Sequence, residues 1–144
     1  MIEVDALAAR SGTFVLRDVT FALPRGAWGI VLGSAGAGKT TLLETIAGVR
    51  AAMSGRVSLR GVDVTRQPPE RRCVGIVYQH AFLFPHLTVE ENVRYGAADA
   101  EHAIELAKRL GAGALLERSV RDLSGGERQM VAIARALAPS PAPR

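Results

Sequence analysis

Residues 33–40 read Gly33-Ser34-Ala35-Gly36-Ala37-Gly38-Lys39-Thr40, and this stretch decides the fold. It matches G-x-x-x-x-G-K-[ST], a loop that cradles a chain of phosphates. Each position has a chemical reason. Glycines let successive backbone N–H groups turn inward around one anion. A helix opening directly after the loop aims its N-terminus, carrying about half a positive charge, at the same anion. Lys39 adds a full charge near the β- and γ-phosphates. The Thr40 hydroxyl is a hard oxygen ligand of the kind Mg²⁺ prefers, and Thr41 follows it at the helix start.

The flanks carry the same message. Residues 27–32 (AWGIVL) form a short apolar run that predicts a buried strand of a parallel sheet. Residues 39–49 predict a helix with Leu42, Leu43, Ile46 and Ala47 on one face, ending at Gly48. A strand running in and an amphipathic helix running out distinguish a phosphate loop from a chance glycine turn. The loop alone does not choose among kinases, GTPases, helicases and transporters.

Working outward, residues 2–25 alternate as half-buried strands, with Phe14, Leu16, Val19, Phe21 and Leu23 inward and a turn at residues 24–26. Residues 53–65 alternate again as a hairpin arm, and Pro68-Pro69 breaks the pattern. Residues 74–78 predict a second buried strand. The single cysteine, Cys73, is expected to be a buried thiol at its start. Residues 80–88 form a loop with aromatic residues that look exposed. Helices follow over residues 88–95, 101–110 and 124–138, the last with Met130, Ile133, Ala134 and Leu137 on its buried face. The final stretch, residues 139–144 (PSPAPR), cannot continue a helix.

Composition bounds the function. Of 144 residues, 48% are hydrophobic and 22% charged, which is a globular balance, and aromatics at 5% leave the core to Ala, Val, Leu and Ile. The net charge of +4 comes from 16 Arg and 2 Lys against 14 acidic residues. These cations are spread along the chain, apart from a cluster at Arg66, Arg71 and Arg72, so no nucleic-acid face is expected. No apolar run reaches the roughly 18 residues of a membrane span, and the first ten residues lack the order of a signal peptide. The expected location is cytoplasmic, with any membrane role through a partner.

A second anion contact is written at Leu123-Ser124-Gly125-Gly126-Glu127-Arg128-Gln129. Ser124 and Glu127 make an S-x-x-E capping box. Gly125 and Gly126 leave the first-turn N–H groups uncovered. Placed about 85 residues after Lys39, this motif resembles the signature of the ABC ATPase family, and the resemblance covers nearly the whole chain.

The resemblance implies an α/β fold: a P-loop NTPase with a RecA-like parallel core, an N-terminal antiparallel β subdomain and a helical subdomain. On that pattern residues 1–144 are one partial ABC ATPase domain. Residues 1–28 and 53–66 form the antiparallel part, 27–52 and 72–84 the P-loop part, and 85–138 the helical part with the signature helix, before the 139–144 tail. It implies ATP and Mg²⁺ as cofactors, and Gly33, Ser34, Ala35, Gly36, Ala37, Gly38, Lys39, Thr40 and Thr41 as the nucleotide-binding loop. Ser124, Gly125, Gly126 and Glu127 are implied to reach the nucleotide held by a second subunit in a head-to-tail dimer. Gln79 is the implied catalytic glutamine, touching Mg²⁺ beside Thr40 and coupling the site to a membrane permease that docks on residues 79–86. Phe82, Leu83 and Phe84 there are either a satellite core or a docking surface. An adenine-stacking aromatic is implied near Arg10, with Arg10 itself or Phe14 in that place.

The run at residues 68–72 and the stretch LFPHLTVEENV resemble importers of molybdate, tungstate, sulfate, sugars and polyamines, the oxyanion importers most. The implied role is an energy-coupling ATPase subunit. Alternatives are a non-catalytic ATP-binding fragment or regulator, and an ABC ATPase of DNA repair or chromosome structure. Only 44 residues separate Gln79 from Ser124, which leaves no room for the long insertions of the last class. The family's later Asp-Glu pair and histidine have no counterpart, because no acidic residue follows Glu127 and all three histidines precede Ser124. The expectations are an incomplete core sheet, little hydrolysis by the chain alone, an aggregation-prone product and a shortened reading frame.

Overall fold

Residues 2–23 pair with themselves because their apolar residues fall on one side of two strands joined by a short Gly12-Thr13 turn. In the computed structural model, which describes residues 1–139, β1 (Ile2–Ser11) and β2 (Phe14–Leu23) run antiparallel from Ile2 opposite Leu23 to Ser11 opposite Phe14. β3 (Ala52–Leu59) joins the other edge of β1, and β4 (Val62–Asp63) folds back on β3. The sheet order is β2-β1-β3-β4, antiparallel throughout.

Strict alternation along β1 would bury Val4 and expose Leu7. Both are buried, because a bulge between them shifts the register. Ala6 takes a positive φ of 44° there, and its N–H donates to Thr20 Oγ1 at 2.9 Å. The sheet face so made packs on α1 (Lys39–Ala47), with Val4, Leu7, Val57, Leu59 and Val64 against Leu42 and Ile46. Leu43, expected on that face, is half-exposed.

The contacts divide the chain into two units, Met1–Val74 and the part from Gly75 on. The first ends in a one-turn helix, α2 (Pro69–Arg72), with Pro69 at its start, where a missing N–H costs nothing. The second holds α3 (Val89–Arg94), α4 (Ala100–Arg109) and α5 (Gly125–Leu137). Thr88 and Glu91 cap α3 reciprocally, and the Asp99 carboxylate caps α4 through the N–H groups of Glu101 and His102. The three helices meet over Val89, Val93, Ala103, Ala107, Val131 and Ala134. Small alanines at this seam let the backbones approach closely.

Four expectations are corrected. Residues 27–32 and 74–78 pair with no strand among the described residues. A parallel strand draws its hydrogen bonds from neighbours, and neither segment has such a neighbour among the described residues. Trp28, Ile30 and Leu32 are consequently open to solvent at 97%, 83% and 86%. Cys73 is exposed rather than buried, because it is the left-handed cap of α2 (φ 51°) and not the start of a strand. On α5 the buried residues are Val131, Ala132 and Ala134, while Ile133 and Leu137 are partly exposed. The α3 and α4 contacts take a face rotated from the one that apolarity alone suggests. Of the tail, residues 140–144 lie outside the described residues.

Candidate functional site

The phosphate loop closes on its own lysine. Lys39 Nζ donates to the carbonyls of Gly33 and Ser34, each at 2.8 Å, so the cation sits in the ring of the loop. Ala37 N–H donates to Ser34 O at 3.2 Å, which makes the turn over Ala35 and Gly36. Gly36 and Gly38 take φ values of 81° and 91°. At Gly38 two requirements coincide. Its φ is left-handed, and a Cβ there would meet Phe14 Cε1 at 2.7 Å.

Helix α1 begins with no side chain capping it. Its first intrahelical bond is Leu42 N–H to Gly38 O at 2.9 Å. The N–H groups of Lys39, Thr40 and Thr41 therefore have no acceptor within the helix. Gly36, Gly38, Lys39, Thr40 and Thr41 line one cavity of about 270 Å³ together with Ser11 and Phe14. Bare amides, a cation, two threonines and an aromatic ring make a donor set for a polyphosphate carrying a base. The cradle also accepts Mg²⁺ chemistry, since the hydroxyl of Thr40 is an oxygen ligand at its wall.

Of the two aromatic-contact positions considered, Phe14 lies at this cavity and Arg10 is not among its lining residues. The Arg10 carbonyl instead accepts from Arg50 Nη1 at 2.8 Å. Ser11 was not singled out from the sequence, because a serine beside a turn glycine carries no pattern of its own.

The second group lies in the other unit. Ser124 caps α5 as expected: Glu127 N–H donates to Ser124 Oγ at 3.3 Å, and Ser124 N–H donates to Glu127 Oε2 at 2.7 Å. Hydrogen bonds from the Ser124 side chain and backbone hold the Glu127 carboxyl below its ordinary pKa, with Arg118 adding attraction from 3.5 Å. A Cβ at Gly125 or Gly126 would meet nothing within 4 Å, so the first turn presents its amides to open space.

Gln79 is exposed and lines a cavity of about 500 Å³ with Gly125, Phe82, Leu83, Arg121 and Arg128. Gln79 and the helix N-terminus thus share one wall. Phe82 is exposed, whereas Phe84 is half-buried beneath Arg135, whose guanidinium carbon stands 5.0 Å from the ring centre. Burial lowers the Arg135 pKa, with an opposing contribution from Tyr95. Sequence inspection missed Arg135 and the fully buried Asn92. One looked like any of 16 arginines, the other like a polar residue on a solvated helix.

Comparison with known proteins places the chain in a family. The family described as ABC transporter matches residues 16–142. The molybdate/tungstate import ATP-binding protein WtpC of Pyrococcus abyssi is 43% identical over 98% of this chain and 43% of its own length. The sulfate/thiosulfate import ATP-binding protein CysA of Mycobacterium tuberculosis is 43% identical over 97% of the chain and 42% of its own length. The chain thus spans less than half the length of these two relatives. Among solved structures, a dimeric post-hydrolysis state of the ATP-binding cassette MJ0796 bound to ADP and Pi superposes with a TM-score of 0.83 at 25% identity. It covers 98% of this chain and 71% of that one. A phosphate loop opening α1, a doubly capped glycine start to α5, the family match and the shared fold lead to one conclusion: the chain belongs to the ABC transporter family and carries its P-loop ATPase fold.

Proposed function

We propose that this chain is the ATP-binding, energy-coupling part of an importer for an oxyanion of the molybdate, tungstate or sulfate type. The observation that carries the proposal is the phosphate loop, in which Lys39, the uncapped start of α1 and Phe14 surround one cavity. Residues 33–41 bind the triphosphate. Backbone amides and the helix N-terminus neutralise it, and Lys39 adds its charge at the β- and γ-phosphates. Phe14 offers a ring face to the base. Mg²⁺, held by Thr40 with Gln79 as a further oxygen ligand, would supply charge neutralisation at the phosphates.

Ser124, Gly125, Gly126 and Glu127 serve a nucleotide on a second copy of the chain or a like subunit. Support comes from the exposed first-turn amides of α5 and from the dimeric state of the solved relative. Permease subunits dock over residues 79–86. The exposed Phe82 and the cavity beside it support that assignment, and no helix among the described residues is long and apolar enough to cross a membrane itself. Residues 1–28 with 53–66, 27–52 with 72–84, and 85–138 act as the β, nucleotide-binding and helical parts of the domain.

Uptake into membrane vesicles tests the reading. Vesicles carrying the full-length protein with its permease should take up radiolabelled molybdate, tungstate or sulfate only when ATP is inside. Uptake that ignores ATP, or persists without this subunit, would contradict it.

A further inference from the structure

Arg135 stands in the last turn of α5 and takes no part in the phosphate contacts proposed above. Its guanidinium reaches back to the loop that follows Gln79. Nη2 donates to Phe82 O at 2.8 Å and to Ala81 O at 3.4 Å, and Nη1 donates to Asn92 Oδ1 at 3.4 Å. The guanidinium carbon lies over the Phe84 ring, whose centre is 4.4 Å from that of Tyr95. Asn92, fully buried, ties the next residues: Phe84 N–H donates to its Oδ1 at 2.8 Å, and its Nδ2 donates to Phe84 O and Thr88 O at 3.1 and 2.9 Å.

The same helix holds the segment before Gln79 as well. Gln129 Nε2 donates to Tyr78 O at 3.5 Å. At Gly75 a Cβ would come 2.5 Å from Ala136 O, so only glycine permits that approach. Gln79 is therefore fastened to α5 on both sides. Asn92 reaches residues 84–88, while the carbonyls of residues 81 and 82 are taken by Arg135. Phe82, a residue 64% exposed, holds a left-handed φ of 44°, a conformation that persists only where its surroundings impose it.

We propose that Arg135 is a positioning residue that clamps residues 81–84 to α5, so that the Gln79 loop and the Ser124 end of the helix move as one body. It also keeps the Phe82 ring turned outward. Its importance for transport rests on the function proposed above, because that is what gives Gln79 and Ser124 their roles. A partner pressing on Phe82 then acts through the Arg135 fork on the helix. Arg135 and Ser124 stand at opposite ends of that one hydrogen-bonded helix. Lysine cannot replace the fork, because a compact ammonium lacks the rigid planar set of donors that reaches two carbonyls and the Asn92 oxygen from beside the Phe84 ring.

Amide exchange in the full chain by NMR tests this. In Arg135→Gln, exchange at the Phe84 and Leu87 amides should rise about tenfold to a hundredfold, as expected for losing charge-assisted hydrogen bonds. Amides of Val131 and Ala134 should change less than about threefold on the same scale. Arg135→Lys should recover only part of the protection. Unchanged exchange at Phe84 and Leu87 would overturn the proposal, as would an equal rise throughout residues 89–137. Should Arg135→Gln fail to fold, the wild-type guanidinium decides: its N–H protons should be ring-shifted and slow to exchange, and a freely exchanging group overturns the clamp. ATP·Mg affinity, measured on the same samples, separates this from the function reading. Loss of ATP binding by the wild type with the exchange pattern intact would sink only the latter.

Discussion

Arg72 shows what a single buried cation does in this fold. Its Nε donates to Gln67 O at 2.8 Å, Nη1 to Thr45 O and Ile46 O at 2.8 and 3.0 Å, and Nη2 to Thr65 O at 3.0 Å. Two of those carbonyls belong to the last turn of α1, where a positive charge is favourable. Burial lowers its pKa from the ordinary arginine value, and among the described residues no carboxylate pairs with it. Replacing it by methionine roughly keeps the volume and removes the four hydrogen bonds, leaving Thr45 O only its bond from the Gly48 N–H. Arg72→Met should cost about 3 kcal/mol of stability, read as a lower urea midpoint; a midpoint equal to wild type would show the clip is idle. From the sequence Arg72 belonged only to a basic cluster with Arg66 and Arg71. Hydrogen bonds to carbonyls distant in the chain leave no sequence pattern, so its structural use was not legible there.

Among the elements, α3, α4 and α5 were the most legible, because a polar residue that can cap stands at the start of each, whereas α1 has no side-chain cap and the one-turn α2 was read only as a break. Thr88, Asp99 and Ser124 are caps by chemistry, and each caps in the structure. The segments at 27–32 and 74–78 were misread as strands, since apolarity marks a segment for burial without saying what it pairs with. The α5 cap makes a pH prediction. The folded pKa of Glu127 lies below its unfolded value. Its contribution is therefore complete above the ordinary glutamate pKa of about 4.3 and is lost as pH falls through the lowered folded value. The Ser124 amide proton should accordingly titrate with a midpoint below about 4.3, and Glu127→Gln should flatten the curve. A midpoint at or above the ordinary value would contradict the capping geometry.

On the scale of the whole molecule, the exposed run at Trp28, Ile30 and Leu32 governs behaviour in solution. Three large exposed apolar side chains within five residues invite association. Sedimentation of the 144-residue polypeptide should show concentration-dependent self-association, and the double variant Ile30→Lys, Leu32→Lys should remain monomeric; a monomeric wild type would remove the run as the cause. The phosphate loop was legible residue by residue, since its glycines, Lys39 and Thr40 are fixed by local geometry. Phe14 and Ser11 reach the same cavity through the β1–β2 pairing, and only the register of that pairing brings them there. The central claim is that this cavity takes a nucleoside triphosphate. Isothermal titration of the chain with ATP·Mg tests it most directly. Saturable binding by the wild type that Lys39→Ala abolishes is the predicted result, and equal binding by the two would contradict it.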